Sequence, residues 1–156
     1  MWPSAPTASR RPMRTGCAGG VVYIVYSRGA DKEPDVDALL PESFLEWTEG
    51  RGLVVKSSAP QVEVLHHNAV GGFVTHLGWN SVLEAIVAEV PMVGWPLYAE
   101  QHMNIVLLVE ELRLAAAVKG YKGELLLSKE IEAKVRWLME SDGGQKLRER
   151  ERERRR

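Results

Sequence analysis

The sequence is poor in cysteine and has no long apolar run. Cys17 is the only cysteine in 156 residues, which excludes an internal disulfide and a cysteine-based metal cluster. No run of about 18 apolar residues occurs, so the sequence predicts no transmembrane helix. The formal net charge is −1 at pH 7, so no global field favours nucleic acid or a membrane as a partner. These deficits favour a soluble protein of a reducing compartment, and we expect a cytoplasmic location.

The two ends differ in composition from the centre. Residues 1–20 contain arginines, no acid and many prolines and glycines, and they lack the apolar centre of a secretory signal. We expect a disordered leader there, with an organelle transit peptide as the alternative. Residues 146–156 are almost entirely Arg, Lys and Glu and are interpreted as a solvated charged tail. Residues 21–145 remain as the folded domain.

Short apolar runs alternate with helical periodicity in that central region. Strands are predicted at 21–26, 52–56, 70–76, 90–95 and 114–118. Helices are predicted at 41–47 (a single turn), 62–68, 81–88, 100–112 and 129–139, with Gly143 and Gly144 ending the last one. This alternation predicts an α/β fold with a parallel sheet and flanking helices.

The segment FVTHLGWNSVLEA places polar groups where a parallel sheet binds ligands, beyond the carboxyl end of a strand. His76 ends the predicted strand, and Gly78 permits a tight turn. Trp79, Asn80 and Ser81 open the next helix, where backbone N–H groups and the helix dipole favour a phosphate. The segment therefore predicts a diphosphate site.

A purely structural interpretation of the same segment stays open. Ser81 and Glu84 have the spacing of a capping box, in which Ser81 is only the N-cap and Glu84 its partner. His76 is then a core histidine. The segment is neither a P-loop nor a dinucleotide fingerprint.

A second polar segment, Trp95–Gln101, follows another predicted strand and contains Tyr98. Glu100 and Gln101 supply an acid and an amide at the start of a helix, which suits sugar hydroxyls. The alternative is that both are simply favourable residues for a first helical turn.

Residues 58–101, SAPQVEVLHHNAVGGFVTHLGWNSVLEAIVAEVPMVGWPLYAEQ, closely resemble the signature box of plant secondary-product UDP-glycosyltransferases. The match is ungapped, and flanking text such as LLPESFLEWTEGRGLVVKS extends the resemblance to residues 39–148. The segment KGYKGELL resembles members that glycosylate flavonoids and related phenols.

The resemblance implies the C-terminal, Rossmann-like half of a two-domain glycosyltransferase of the GT-B type. It implies transfer from UDP-glucose to a hydroxyl of a small plant phenolic such as a flavonoid, with no metal and no separate cofactor. The family's acceptor pocket and histidine base belong to an N-terminal domain that has no counterpart in these residues. We therefore expect no catalytic residue here, and transfer only if that domain is supplied. A non-catalytic UDP-sugar-binding module and an inactive truncated gene product are the alternatives.

The resemblance also assigns a role to each donor-binding position. It implies that Gln61 and the backbone of Ala59 contact uracil and that Glu84 holds the ribose. It implies that Glu100 and Gln101 hold the sugar, and glucose is the expected sugar because Gln101 ends the box.

For the diphosphate, the resemblance implies binding by His76, Asn80 and Ser81, with Trp79 shaping the site beside Gly78.

Several positions depart from the family's pattern. Ser58 replaces a tryptophan that stacks on uracil, Leu77 replaces a cysteine, and Glu89 replaces a glycine expected to end a helix. Residues 21–26 resemble the first strand of the C-terminal domain. The loop and helix that follow that strand in the family are missing, so we expect one βα unit to be lost.

Overall fold

The computed structural model describes residues 21–25, 40, 42–50, 52–56, 59–119 and 128–153. The chain divides into two units, Met1–Gln61 and Val62–Arg156. In the first unit, β1 (Val21–Val25) pairs in parallel with β2 (Gly52–Lys56), and Val21 lies opposite Gly52. Helix α1 (Phe44–Thr48) lies between these strands in sequence. Both strands and the helical turn are confirmed, while the predicted loss of a βα unit falls on residues outside the described ranges.

The second unit contains a parallel sheet with the strand order β3 (Phe73–Thr75), β4 (Met92–Gly94) and β5 (Ala115–Ala117). The intervening helices are α3 (Trp79–Val87) and α4 (Gln101–Val106), and α4 continues into a π-helical turn at Leu107–Glu111. Helix α2 (Gln61–Leu65) precedes β3, and α5 (Ser128–Glu140) and α6 (Asp142–Glu153) follow β5. Helices therefore alternate with strands as predicted.

The central strand of this sheet, β4, is buried on both faces. Side chains along a strand point alternately to opposite faces, so neighbouring residues of β4 enter different cores. Met92 packs with apolar residues of α3, α4 and the π-helical turn, including Val82, Ala85, Ile105 and Leu108. Val93 packs instead with Leu138 of α5 and Leu147 of α6. A three-layer α/β/α arrangement follows, which is typical of parallel sheets.

The start of α6 corrects the prediction that Gly143 and Gly144 end a helix. Helix α5 ends at Glu140, and both glycines lie in the first turn of α6. Ser141 Oγ accepts a hydrogen bond from Gly144 N–H at 3.0 Å and donates one to the Trp137 carbonyl at 2.6 Å. A Cβ on Gly144 would overlap the carbonyl oxygen of Leu138. These glycines are thus required because α6 begins close against the end of α5.

The charged tail also differs from its prediction as a solvated end. It is helical as far as Glu153, and it buries Leu147 and Glu151. The Arg148 guanidinium donates a hydrogen bond to the Leu138 carbonyl. The tail therefore packs on α5 through Leu147 and Arg148. These are too few contacts for the sequence of the tail to show an apolar face. Within the described ranges, no helix has the length and apolar character needed to cross a membrane.

Candidate functional site

The turn after β3 has an unusual backbone conformation. Leu77 has φ = 66°, in the left-handed region, and its side chain is fully buried. Its N–H donates to Thr75 Oγ1 at 3.1 Å, and its carbonyl accepts from Asn104 Nδ2 at 2.9 Å. Both backbone polar groups of Leu77 are therefore satisfied by side chains, one from β3 and one from α4.

Helix α3 begins directly after this turn. Gly78 is its N-cap, and the first intrahelical hydrogen bond runs from Val82 N–H to the Gly78 carbonyl at 3.0 Å. The turn formed by Trp79, Asn80 and Ser81 thus lies ahead of the helical hydrogen-bond ladder, where N–H groups and the helix dipole attract anions. Because Ser81 lies inside the helix, the interpretation of Ser81 as an N-cap is wrong.

The His76 imidazole lies against Gly78. A Cβ on Gly78 would stand 2.6 Å from His76 Nε2, so the imidazole would have to move to make room for it. Gly78 itself has φ = −60°, so it does not adopt a left-handed conformation. His76 is exposed, and the interpretation of it as a core histidine is wrong. The imidazole therefore stands at the N-terminus of α3.

The loop after β4 is held by Gln101. Gln101 Oε1 accepts hydrogen bonds from Leu97 N–H at 2.9 Å and from Tyr98 N–H at 3.2 Å. Its side chain is only 2% exposed. The two loop N–H groups therefore fix the orientation of the amide.

The two loops leave neighbouring strands at the same edge of the sheet. Thr75, at the end of β3, lies opposite Gly94, at the end of β4. The Trp95 N–H donates to the Thr75 carbonyl at 2.9 Å, which extends the contact into the second loop. This edge is where parallel sheets bind ligands.

The remaining predicted site residues have different surroundings. Glu84 is half-buried on α3, one turn beyond Asn80, whereas Tyr98 and Glu100 are exposed in the second loop. Ala59 and Gln61 are half-buried and belong to the first unit, and Ser58 lies outside the described residues. The structure thus brings the predicted diphosphate and sugar segments to one edge of one sheet.

The sequence patterns did not single out Asn104, although its polar side chain among apolar helix positions is a usable signal. It is a buried polar residue that stands beside the buried apolar Ile105, and the buried Leu108 follows one turn later. A polar residue at such a position needs a hydrogen-bond partner, and its partner is the turn after β3.

The other histidines have local partners. His66 Nδ1 lies 2.8 Å from the Val62 carbonyl, and His67 Nδ1 accepts from Ala69 N–H at 3.2 Å. Both side chains are exposed. Across the described residues, no group of three or more His, Cys, Asp or Glu side chains is arranged to hold a metal ion.

Residues 41–142 match the protein family described as UDP-glucoronosyl and UDP-glucosyl transferase. The chain belongs to this family. A UDP-glycosyltransferase 1 from Pueraria montana var. lobata is 53% identical over 130 residues, which cover 83% of this chain and 28% of the relative. A phloretin 2'-O-glucosyltransferase from Pyrus communis is 58% identical over 118 residues, covering 74% and 24%. The chain thus spans about a quarter of the length of the curated relatives it matches.

Solved structures of related enzymes share the fold. Phytolacca americana UGT2, complexed with UDP-2fluoro-glucose and pterostilbene, has a TM-score of 0.76 at 42% identity, covering 86% of this chain and 29% of that chain. TcCGT1 in complex with UDP has a TM-score of 0.78 at 36% identity, covering 86% and 31%. These neighbours are GT-B glycosyltransferases, so the predicted fold class is confirmed.

Proposed function

We propose that this chain binds a UDP-sugar, preferably UDP-glucose, as the donor-binding part of a glucosyltransferase that acts on small plant phenolics. The observation that carries the proposal is the shared edge of β3 and β4, where the start of α3 and the Gln101 loop lie side by side. Family membership supports the donor class, and relatives named for phloretin and anthocyanidin support the acceptor class.

The diphosphate would lie at the start of α3. Two adjacent phosphates need several donors, and the first turn of α3 offers backbone N–H groups together with the Asn80 and Ser81 side chains. The exposed His76 imidazole is close to the same helix end. Charge on the departing UDP is then stabilised by the helix end and by these side chains, so we expect no metal requirement.

The sugar would lie against the second loop. Gln101 already uses its oxygen to hold that loop, so its Nε2 is oriented to donate to a sugar hydroxyl. Glu100 precedes it and can accept from sugar hydroxyls. The nucleoside contacts of Ala59, Gln61 and Glu84, and the placing of Trp79 and Tyr98 near the donor, rest on the resemblance to the family.

The candidate bases for an acceptor hydroxyl among the described residues are His66, His67 and His102, and all three are exposed. General-base catalysis needs a group within hydrogen-bond reach of that hydroxyl, and the family resemblance assigns the acceptor pocket and its histidine base to an N-terminal domain. We therefore expect the 156-residue polypeptide by itself to bind donor without transferring sugar. A relative's N-terminal domain, added separately, is expected to be required for product.

Calorimetric titration of the purified chain with UDP and UDP-glucose tests the proposal, with ADP as the control for base selectivity. Saturable binding of both uridine ligands, undiminished by EDTA, is the expected result. Asn80→Ala should weaken UDP binding, whereas Val87→Ala, on an exposed position at the far end of the same helix, should not. A chain that unfolds cooperatively but binds neither ligand would refute donor binding. A chain with no cooperative transition would favour an inactive gene product.

A further inference from the structure

Leu77 adopts a conformation that a residue with a Cβ rarely holds by itself. Its φ of 66° is left-handed, and it is not a glycine. Such strained residues persist only where their surroundings hold them in place, and they often lie at functional sites. The turn that places His76 and Gly78 at the start of α3 therefore depends on what fixes Leu77.

Two side-chain hydrogen bonds and a close packing contact fix it. Thr75 Oγ1 accepts from its N–H, and Asn104 Nδ2 donates to its carbonyl. Its side chain packs against Gly94, where an added Cβ would stand 2.7 Å from Leu77 Cδ1. The Asn104 bond is the one that reaches across 27 residues of sequence, and both of its partners are buried.

Asn104 also belongs to the helix that begins with the predicted sugar-binding residue. It lies one turn after Gln101 in α4, and it is 8% exposed. Its own N–H donates to the Glu100 carbonyl at 2.9 Å. The same residue thus contacts the backbone of the predicted sugar segment and the backbone of the predicted diphosphate turn.

We propose that Asn104 is a positioning residue for the diphosphate. By holding the Leu77 carbonyl, it sets the direction of the first N–H groups of α3 and their distance from Gln101. This inference rests on the proposed function, because it concerns the same donor site. Asn104 touches no part of the ligand and acts only through the Leu77 turn.

The role predicts a loss of affinity that depends on which part of the ligand is present. Uridine lacks the diphosphate, so its binding does not use the α3 turn. UDP carries both phosphates, so its affinity should fall when that turn moves. Asn104→Leu, which keeps the volume and removes the donor, should weaken UDP binding by about tenfold. Uridine binding should change by less than about twofold.

The test is a titration of UDP by calorimetry and of uridine by ligand-observed NMR, on wild type and variants. Thr75→Val removes the other hydrogen bond to the turn and should show the same selective loss, so the inference can be tested if Asn104→Leu does not fold. Leu147→Ala, in the core on the opposite face of the sheet, is the control for a general loss of stability. It should leave both affinities unchanged.

Unchanged UDP affinity in both turn variants would overturn the positioning role. Parallel losses for UDP and uridine would also overturn it, because they would indicate general disruption. If wild type itself fails to bind UDP, the proposed function fails first. That result is distinct from a wild type that binds UDP and variants that bind it equally well.

Discussion

The Val90 N–H donates a hydrogen bond to the Ala85 carbonyl at 3.0 Å, across the end of α3. A second bond runs from Glu89 N–H to the Ile86 carbonyl at 3.2 Å. Together they form a Schellman motif, in which the residue after the C-cap adopts the left-handed conformation. That residue is Glu89, with φ = 59°. The expectation that this position suits a glycine is therefore supported by its backbone geometry.

Replacing Glu89 by glycine should stabilise the chain. The left-handed conformation costs a residue with a Cβ roughly 1–2 kcal/mol, and the greater freedom of glycine in the unfolded state offsets part of that gain. We expect a net increase of about 1 kcal/mol in the free energy of unfolding, measured by urea denaturation. Glu89→Ala keeps the strain and removes only the carboxylate, so it should give no gain. Equal stabilisation by both variants would show that charge, and not backbone strain, is responsible.

Gly94 and Leu77 should be energetically coupled. A Cβ on Gly94 would stand 2.7 Å from Leu77 Cδ1 and 3.0 Å from Ile105 Cδ1. Gly94→Ala should therefore destabilise the chain by about 1–3 kcal/mol through overpacking. Leu77→Cys makes room, so the double variant should lose about 1 kcal/mol less than the sum of the single losses. Additive losses in thermal or urea unfolding would show that the two side chains do not compete for space.

Substitutions at Gln101 should separate its hydrogen bonds to the loop from its proposed contact with the sugar. Gln101→Glu keeps an oxygen that can accept from Leu97 and Tyr98, but it removes the Nε2 donor. We expect the ratio of UDP-glucose affinity to UDP affinity to fall by about tenfold, because a sugar contact is lost. Gln101→Met removes the oxygen as well and should also destabilise the loop. An unchanged affinity ratio for Gln101→Glu would exclude the predicted sugar contact.

Introducing a tryptophan at Ser58 should strengthen nucleotide binding. Stacking of a base on an aromatic ring is worth roughly 1–3 kcal/mol, so UDP affinity should rise by roughly one to two decades. Ser58→Leu supplies apolar area without a ring and is the matched control. Calorimetric titration with UDP measures the affinity of both variants. An equal gain in affinity for the two would argue against stacking.

The fold was largely predictable because periodicity reflects burial. The apolar spacing of Ile105, Leu108, Val109 and Leu112 predicted one inward face, and all four join the same core. The strand at 52–56 has its predicted bounds. Gly143 and Gly144 were misassigned because their need for glycine comes from the close approach of α6 to α5. That approach is a tertiary contact with no local signal.

The segments of the candidate site could be chosen from the sequence, but the side-chain hydrogen bonds that hold the Leu77 turn could not. The residues after β3 and β4 were predicted from the rule that parallel sheets bind ligands at their carboxyl edge. The tight turn was attributed to Gly78, but the residue with the left-handed conformation is Leu77, which two side-chain hydrogen bonds hold in place. The domain bounds, the ligand contacts of each site residue and the cytoplasmic location stay predictions.

The π-helical turn at the end of α4 absorbs one extra residue of chain. Leu112 N–H donates to the Leu107 carbonyl at 2.9 Å, five residues back, so this turn holds one residue more than an α-helical turn. Deleting one residue there would restore α-helical spacing and leave Leu112 and the buried Leu114 facing the core. The same deletion within Gln101–Val106 would rotate everything after it by about 100° about the helix axis. A one-residue deletion should therefore be tolerated better in the π-helical turn than in the helix before it.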